Sequence, residues 1–223
     1  MKNIVCDSLA SLVEQLEGAL IDAVEMTWHS PFCLALSGGS TPKVLYSSLA
    51  TTALIDWPKV ELFFGDERAV PLDHPDSNYG MVKKALLDEL GQVKVACNPM
   101  PAEQGDAAGY ERLIRSRVKE VRDGVPVLDL VLLGVGADGH TASLFPGAPT
   151  LDEKSALVAM NENPKRMTIT LPLINAAKRV WILAAGPEKK AILERVMGKP
   201  GDLPIQRVQP TNGELVWWVS TGG

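Results

Sequence analysis

The stretch Leu128–Gly147, which reads LDLVLLGVGADGHTASLFPG, decides the fold of this chain. Its first six residues are apolar except for one aspartate, which is typical of a fully buried strand. Three glycines follow within six residues, and glycines in such a cluster occur where the backbone turns sharply or approaches a ligand. Ligands of open α/β sheets bind at the carboxyl ends of strands, so Asp138 and His140 lie where a site is expected.

Asp138 and His140 allow two interpretations. A carboxylate two residues from an imidazole, held by glycines, is suited to be a general base with the partner that orients it. The alternative is a glycine turn with an aspartate cap and an incidental histidine. These residues alone do not separate the two.

Length, charge and cysteine content exclude several classes of protein. The chain has 223 residues, which suits one domain over residues 1–223. A net charge of −5, with no block of lysine and arginine, argues against a general nucleic-acid binder. The three cysteines form no metal or redox motif, the N-terminal region carries acidic residues, and no apolar run approaches the length of a membrane span. We therefore expect a reduced, cytoplasmic protein with no membrane partner and no metal.

Strand-like and helix-like segments alternate along the chain. The predicted strands are Phe32–Leu36, Val60–Phe64, Leu128–Leu133, Ala156–Met160, Arg166–Leu171, Val180–Ala185 and Leu215–Val219. The predicted helices are Leu9–Val24, Lys43–Ala50, Tyr79–Leu90, Glu103–Arg122 and Ala191–Val196, the first of them capped by Asp7 or Ser8. This alternation predicts a Rossmann-like α/β fold, with a mostly parallel open sheet covered by helices on both faces.

The first buried strand runs into the glycine turn Ser37-Gly38-Gly39-Ser40-Thr41-Pro42. A strand, a glycine-rich turn and a helix N-terminus together form an anion site, because backbone N–H groups point outward and the helix dipole favours negative charge. The turn is neither a Walker A loop nor a GxGxxG motif, so no nucleotide is implied. The alternative is an ordinary turn with Ser/Thr capping; we favour phosphate binding.

The second strand ends in Gly65-Asp66-Glu67-Arg68, so charge again follows the carboxyl end of a strand. Arg68 is able to stabilise a developing oxyanion or to bind a carboxylate. The alternative is a surface ion pair between Arg68 and Asp66 or Glu67. The loop Val70–Gly80 that follows is long enough to close over a ligand.

A second glycine turn, Gly186-Pro187-Glu188-Lys189-Lys190, opens the last predicted helix. A lysine in the first turn is repelled by the positive end of the helix dipole, so it is favourable there only if an anion lies between the lysine and the helix N-terminus. The alternative, a solvated lysine, suits Lys190 better than Lys189. His29 and His74 lie outside every motif, and we predict that both are surface residues.

Four motifs in this order resemble those of the 6-phosphogluconolactonase family, hydrolases of the oxidative pentose phosphate pathway. They are SGGSTP at 37–42, GDER at 65–68, GVGADGHTASLFPG at 134–147, and RMTITLPLIN at 166–175 followed by GPEKK at 186–190. The resemblance covers nearly the whole chain and implies a fold like that of glucosamine-6-phosphate deaminase. It also implies a small sugar-phosphate lactone as substrate and no cofactor. We expect a monomer or a weak dimer.

The resemblance assigns a role to each motif. By position, His140 matches a general base, Asp138 the carboxylate that orients it, and Arg68 an arginine that stabilises charge on the lactone carbonyl. The positions that match phosphate-binding residues are Gly39, Ser40, Thr41, Arg166 and Lys189, with Asn78 at the edge of the site.

Two other functions within the wider superfamily are less consistent with the sequence. An isomerase-deaminase needs an additional carboxylate base, typically in a Phe-Asn-Glu-Pro-like run after the histidine turn. Here the run is Ser143-Leu144-Phe145-Pro146, without an acid. A non-catalytic sugar-phosphate sensor would carry a DNA-binding helix-turn-helix, and the chain has no basic segment of that kind.

Overall fold

The computed structural model describes residues 2–27, 31–197 and 200–222. Its strands are Lys2–Cys6 (β1), Phe32–Leu36 (β2), Val60–Phe64 (β3), Asp66–Arg68 (β4), Ala96–Cys97 (β5), Val121–Arg122 (β6), Val125–Pro126 (β7), Leu130–Gly134 (β8), Val158–Glu162 (β9), Lys165–Ile169 (β10), Arg179–Ala185 (β11) and Glu214–Ser220 (β12). Its α-helices are Leu9–Glu25 (α1), Ser40–Leu49 (α2), Asn78–Val82 (α3), Ala107–Arg117 (α4), Leu171–Ala176 (α5) and Lys190–Val196 (α6). A π-helical turn, Lys83–Leu87, continues α3.

A seven-stranded sheet forms the centre of the protein, in the order β1-β12-β11-β8-β2-β3-β5. Every neighbouring pair in it is parallel. All five residues of β2 and of β3 are buried, as expected of strands covered on both faces. The predicted α/β class with a mostly parallel sheet is therefore confirmed.

The first helix follows the predicted pattern closely. Ser8 is its N-cap, and the Ser8 side chain accepts a hydrogen bond from the backbone N–H of Ser11 at 3.2 Å. Leu12, Leu16 and Leu20 recur on one face and are completely or almost completely buried. Burial of this face fixes α1 to the body of the protein.

The structure corrects the predicted elements at several places. Lys2–Cys6 forms an edge strand that pairs with β12, where no strand was predicted. The predicted helix Glu103–Arg122 is wrong at both ends: Asp106 caps α4, which stops at Arg117. Residues 121–126 then form a hairpin, because Asp123 and Gly124 adopt positive φ values of 50° and 79°. His29 lies outside the described residues.

A second, antiparallel sheet, β4-β10-β9, stands beside the central one and positions the site. The predicted strand Arg166–Leu171 ends at Ile169 and belongs to this sheet, while Leu171 begins α5. Its register sets Arg166 directly opposite Arg68. In the central sheet β8 and β2 are neighbours, so the glycine turns at their carboxyl ends meet.

Among the described residues, no helix combines the length and the apolar character needed to cross a membrane.

Candidate active site

The turn after β8 joins Asp138 and His140 into a pair. Asp138 Oδ1 lies 2.6 Å from His140 Nδ1 and accepts the backbone N–H of His140 at 3.1 Å. The turn is closed by hydrogen bonds from Gly136 N to the His140 carbonyl and from Gly139 N to the Gly136 carbonyl, at 2.9 and 3.0 Å. Because Asp138 engages Nδ1, Nε2 is the nitrogen available for proton transfer.

Partial burial raises the pKa of the Asp138 carboxyl, but hydrogen bonds and charge attraction from His140 outweigh burial. The pKa therefore falls below its ordinary value. The carboxylate therefore stays ionised beside the imidazole that it contacts. The pair has the arrangement of a base with its orienting partner.

Gly136 makes room for the imidazole. A Cβ atom added at this position would overlap His140 Nδ1 and lie 2.8 Å from Asp138 Oδ1. Neither the ring nor the carboxylate could keep its place beside a methyl group so close to both. The glycine of the motif is thus required by the close approach of the histidine side chain.

Replacement of Gly136 with Ala should displace His140 and lower turnover about 100-fold, because a misplacement of about 1 Å costs that much. The measurement is the rate of hydrolysis of the lactone that the family resemblance implies as substrate, together with thermal unfolding. Gly18→Ala is the matched control, since a Cβ at Gly18 in α1 meets nothing within 4 Å. Unchanged turnover in Gly136→Ala would show that the ring position has no role in catalysis.

Arg68 is held by the residues that begin α3. Its Nη1 donates to the backbone carbonyl of Asp76 at 3.0 Å and to Asn78 Oδ1. The Asn78 amide also donates to the Asp66 carbonyl and to Asp66 Oδ1, at 2.8 and 3.0 Å. The guanidinium therefore contacts this segment, rather than forming the surface ion pair considered as the alternative.

Two further cations face the same space. Arg166 is a Cα partner of Arg68 across the antiparallel pair, and burial together with the Arg68 charge lowers the pKa of Arg166. Its guanidinium lies 5.6 Å above the centre of the Phe145 ring, which is itself 4.8 Å from the His140 ring. Lys189 Nζ donates to the Val135 carbonyl at 3.0 Å. Neighbouring carboxylates, Asp66 among them, offset part of the repulsion between these cations, and an anion bound in the same space would offset more of it.

The glycine turn after β2 opens α2. Gly39, its N-cap, has φ 112° and ψ 168°, a conformation open essentially to glycine alone. Tyr46 holds the start of the turn, since its hydroxyl donates to the Ser37 carbonyl at 2.9 Å and accepts the Ser37 N–H at 3.0 Å. Ser40 and Thr41 follow in the first helical turn, so their N–H groups are unpaired within the helix.

All these elements enclose one cavity of about 250 Å³. The sequence-predicted residues that line it are Gly39, Ser40, Thr41, Arg68, Asn78, His140, Arg166 and Lys189. Asp138 does not line it but contacts His140 from outside. His74 is also outside it, with an exposed side chain, in agreement with its predicted surface position. In residues 2–27, 31–197 and 200–222 no group of three or more His, Cys, Asp or Glu could hold a metal ion.

Sequence reasoning missed Asp66 as a cavity residue. Its side chain is buried, and Oδ2 accepts the Ser143 hydroxyl at 2.6 Å and lies 4.0 Å from Arg166 Nη1. The available signal was the position of Asp66 directly after β3, at the carboxyl end of the sheet.

Known proteins are similar to this chain in both sequence and fold. The sequence model described as "Glucosamine-6-phosphate isomerases/6-phosphogluconolactonase" matches residues 7–217. A Synechocystis protein named 6-phosphogluconolactonase is 42% identical over 193 residues, covering 82% of this chain and 80% of the relative. A Rattus norvegicus protein of the same name is 39% identical over 226 residues, covering 95% and 85%. The solved 6-phosphogluconolactonase structure from Trypanosoma cruzi superimposes with a TM-score of 0.83 at 32% identity, covering 98% of this chain and 94% of that one. The chain therefore belongs to the glucosamine-6-phosphate isomerase/6-phosphogluconolactonase family.

Proposed function

We propose that this protein hydrolyses 6-phospho-D-glucono-1,5-lactone to 6-phosphogluconate, with His140 as general base and no metal or covalent nucleophile. The observation that carries the proposal is the contact of His140 with Asp138 at a cavity that also holds three cations. Relatives named 6-phosphogluconolactonase at 39–42% identity support the choice of substrate. A lactone is an activated ester, so a positioned base and an oxyanion partner are sufficient chemistry.

The reaction proceeds by attack of water on the lactone carbonyl. His140 Nε2 takes a proton from the water as the new C1–O bond forms, and Asp138 stabilises the resulting imidazolium. Arg68 stabilises the negative charge that develops on the carbonyl oxygen. The bond from C1 to the ring oxygen then breaks, and the imidazolium returns its proton to that oxygen. The product is an open-chain carboxylic acid with a new hydroxyl group, and the acid then releases its proton to solvent to give the carboxylate.

The phosphate supplies orientation from the other end of the substrate. Its binding groups are the turn residues Gly39, Ser40 and Thr41 together with Arg166 and Lys189, while Asn78 borders the site. Backbone N–H groups at a helix N-terminus and cationic side chains both favour a dianion. Binding energy from this remote group holds the lactone carbon near His140.

Deamination of an amino sugar phosphate is the second candidate, and one observation favours it. Asp66 provides a carboxylate inside the cavity, which that chemistry requires. However, both Asp66 oxygens accept hydrogen bonds, one from Asn78 and one from Ser143. A carboxylate occupied in this way is a poor proton acceptor, so we rank lactone hydrolysis first.

The test is to follow acid release from fresh 6-phosphoglucono-δ-lactone, with spontaneous hydrolysis subtracted, beside unphosphorylated glucono-δ-lactone. We expect strong acceleration of the phosphorylated substrate only. Ammonia release from glucosamine 6-phosphate with no lactonase activity would replace the proposal by the deaminase.

Four further properties remain predictions. They are a cytoplasmic location, a single domain over residues 1–223, a monomeric or weakly dimeric state and the lack of a nucleic-acid partner.

The lowered pKa of Asp138 predicts that this carboxyl stays ionised at unusually low pH. A carboxyl whose pKa is depressed keeps its charge to lower pH, so Asp138 should keep its contacts with His140 below the pH at which an ordinary aspartate is protonated. The measurement is an NMR titration of the Asp138 carboxyl, with Asp138→Asn to identify its signal. Protonation at or above the ordinary range of an aspartate carboxyl would contradict the prediction.

A further inference from the structure

Glu67 is a buried charge that the proposed mechanism does not use. It is 1% exposed, and its carboxylate accepts four hydrogen bonds. Burial of an ionised carboxylate costs free energy unless donors surround it, and here they do. The positions of those donors show which parts of the chain the buried carboxylate holds together.

One of the four donors is the backbone N–H of Arg68, and the other three belong to residues 77–79 at the start of α3. Oε1 accepts the backbone N–H groups of Arg68 and Asn78 at 2.8 and 2.7 Å. Oε2 accepts the Ser77 hydroxyl at 2.9 Å and the Tyr79 N–H at 2.8 Å. The carboxylate thus fixes the first residues of α3 against strand β4.

The same residues hold the Arg68 guanidinium. Arg68 Nη1 donates to the Asp76 carbonyl and to Asn78 Oδ1, on either side of Ser77. Successive side chains of a strand point to opposite faces, so Glu67 binds this segment from one face of β4 while Arg68 faces the cavity.

The neighbouring glycine turn leaves space for this arrangement. A Cβ atom added at Gly38 would overlap Asn78 Oδ1. Gly38 therefore permits the Asn78 amide to reach Arg68, and Glu67 fixes the backbone from which that amide projects. The guanidinium thus contacts one segment, residues 76–78, which Gly38 leaves room for and Glu67 holds in place.

We propose that Glu67 is a positioning residue, which acts through Ser77 and Asn78 to fix Arg68 where charge develops on the lactone oxygen. This inference rests on the proposed function for the role of Arg68. Arg68 then reaches the transition state already oriented, without reorganisation of its side chain.

A double-mutant cycle with Glu67→Gln and Arg68→Ala tests the proposal. Glutamine keeps the shape but offers one acceptor oxygen where the carboxylate offers two. In the wild-type background Glu67→Gln should lower kcat about 100-fold and change KM little, because Arg68 acts on the transition state. In the Arg68→Ala background the same change should alter kcat no more than about twofold. If the kcat loss of the double variant equals the product of the two single-variant losses, the proposal is overturned.

Glu61→Gln is the matched control. Glu61 is another buried glutamate, on β3, where Oε1 accepts the Asn98 amide at 3.1 Å and lies 3.6 Å from Arg117 Nε. The Glu61→Gln variant should have the same kcat as the wild type. If Glu67→Gln does not fold, Ser77→Ala is the second variant; it removes one donor to the carboxylate and also the acceptor of the Gly80 N–H at the start of α3. It should lower kcat in the same direction, and an unchanged kcat would overturn the proposal.

A crystal structure of Glu67→Gln, or of Ser77→Ala if the former does not fold, separates this inference from the proposed function. We expect the Arg68 guanidinium to move away from Asn78 Oδ1 and the Asp76 carbonyl. Retention of both hydrogen bonds would overturn the positioning role, whether or not the wild-type protein hydrolyses the lactone. A displaced Arg68 in the variant, together with no lactonase activity in the wild type, would instead reject only the proposed function.

Discussion

Replacing His140 with Ala is expected to lower the enzymatic hydrolysis of 6-phosphoglucono-δ-lactone about 1,000-fold, within the range that general base catalysis contributes. His140 pairs with Asp138 and also lines the cavity. In the proposed mechanism its loss removes the proton acceptor for the attacking water. The turn itself is held by backbone hydrogen bonds from Gly136 and Gly139, so it should survive the change. The measurement is kcat from acid release, with the spontaneous rate subtracted.

Gln15→Ala is the control for His140→Ala, because the Gln15 side chain is exposed on α1 and outside the cavity. Its kcat should match that of the wild type. Calorimetry should show that His140→Ala still binds 6-phosphogluconate, since the cations and the glycine turn remain. Near-normal turnover in His140→Ala would reject the assignment of the base.

Replacing Arg68 and Arg166 separately with Ala is expected to have opposite kinetic signatures. Loss of an oxyanion partner should lower kcat of Arg68→Ala about 100- to 1,000-fold with little change in KM. Loss of a phosphate ligand should raise KM of Arg166→Ala, because that interaction exists equally in the ground state and the transition state. The two side chains are cross-strand neighbours, so similar disturbance of the local structure is expected from each change.

The control for the arginine pair is Arg115→Ala. Arg115 is exposed and pairs with Glu111 on the surface of α4, away from the cavity. Its kinetic constants should not change. If Arg166→Ala lowers kcat and Arg68→Ala raises KM, the two arginines have the reverse assignment, with Arg166 at the carbonyl and Arg68 at the phosphate.

The parallel sheet and the histidine turn were predictable because their signals are local. An apolar run followed by glycines, as at Leu128–Gly139, indicates both a buried strand and its carboxyl end. Parallel strands share that end of a sheet, so Asp138, His140 and the turn at 37–42 could be expected at one site. The fold, the histidine turn and the turn at 37–42 follow from these signals, whereas Asn78 and Arg166 were assigned to the site from the resemblance to the family.

The antiparallel sheet β4-β10-β9 could not be predicted in the same way. Strand β4 has three residues, and its partner β10 begins almost 100 residues later. No local pattern identifies so short a strand, because it exists through pairing with a distant segment. For this reason the sequence placed Arg68 at a site but did not identify Asn78 and the Asp76 carbonyl as its partners.

The helix predicted at Glu103–Arg122 shows a different limit. Its charged residues fit helical spacing to the end, yet α4 stops at Arg117. The Asp123-Gly124 turn pairs β6 with β7 in a local hairpin, and this hairpin outweighs the helical propensity of the preceding residues. Helix propensity alone therefore does not identify Arg117 as the last residue of α4.

A crystal structure of the protein with 6-phosphogluconate tests the central claim most directly. Our assignment places the product carboxylate within hydrogen-bond distance of His140 Nε2 and Arg68. It places the phosphate against residues 39–41, Arg166 and Lys189. A product bound in the reverse direction, with its phosphate at His140 and its carboxylate at the glycine turn, would contradict the proposed mechanism.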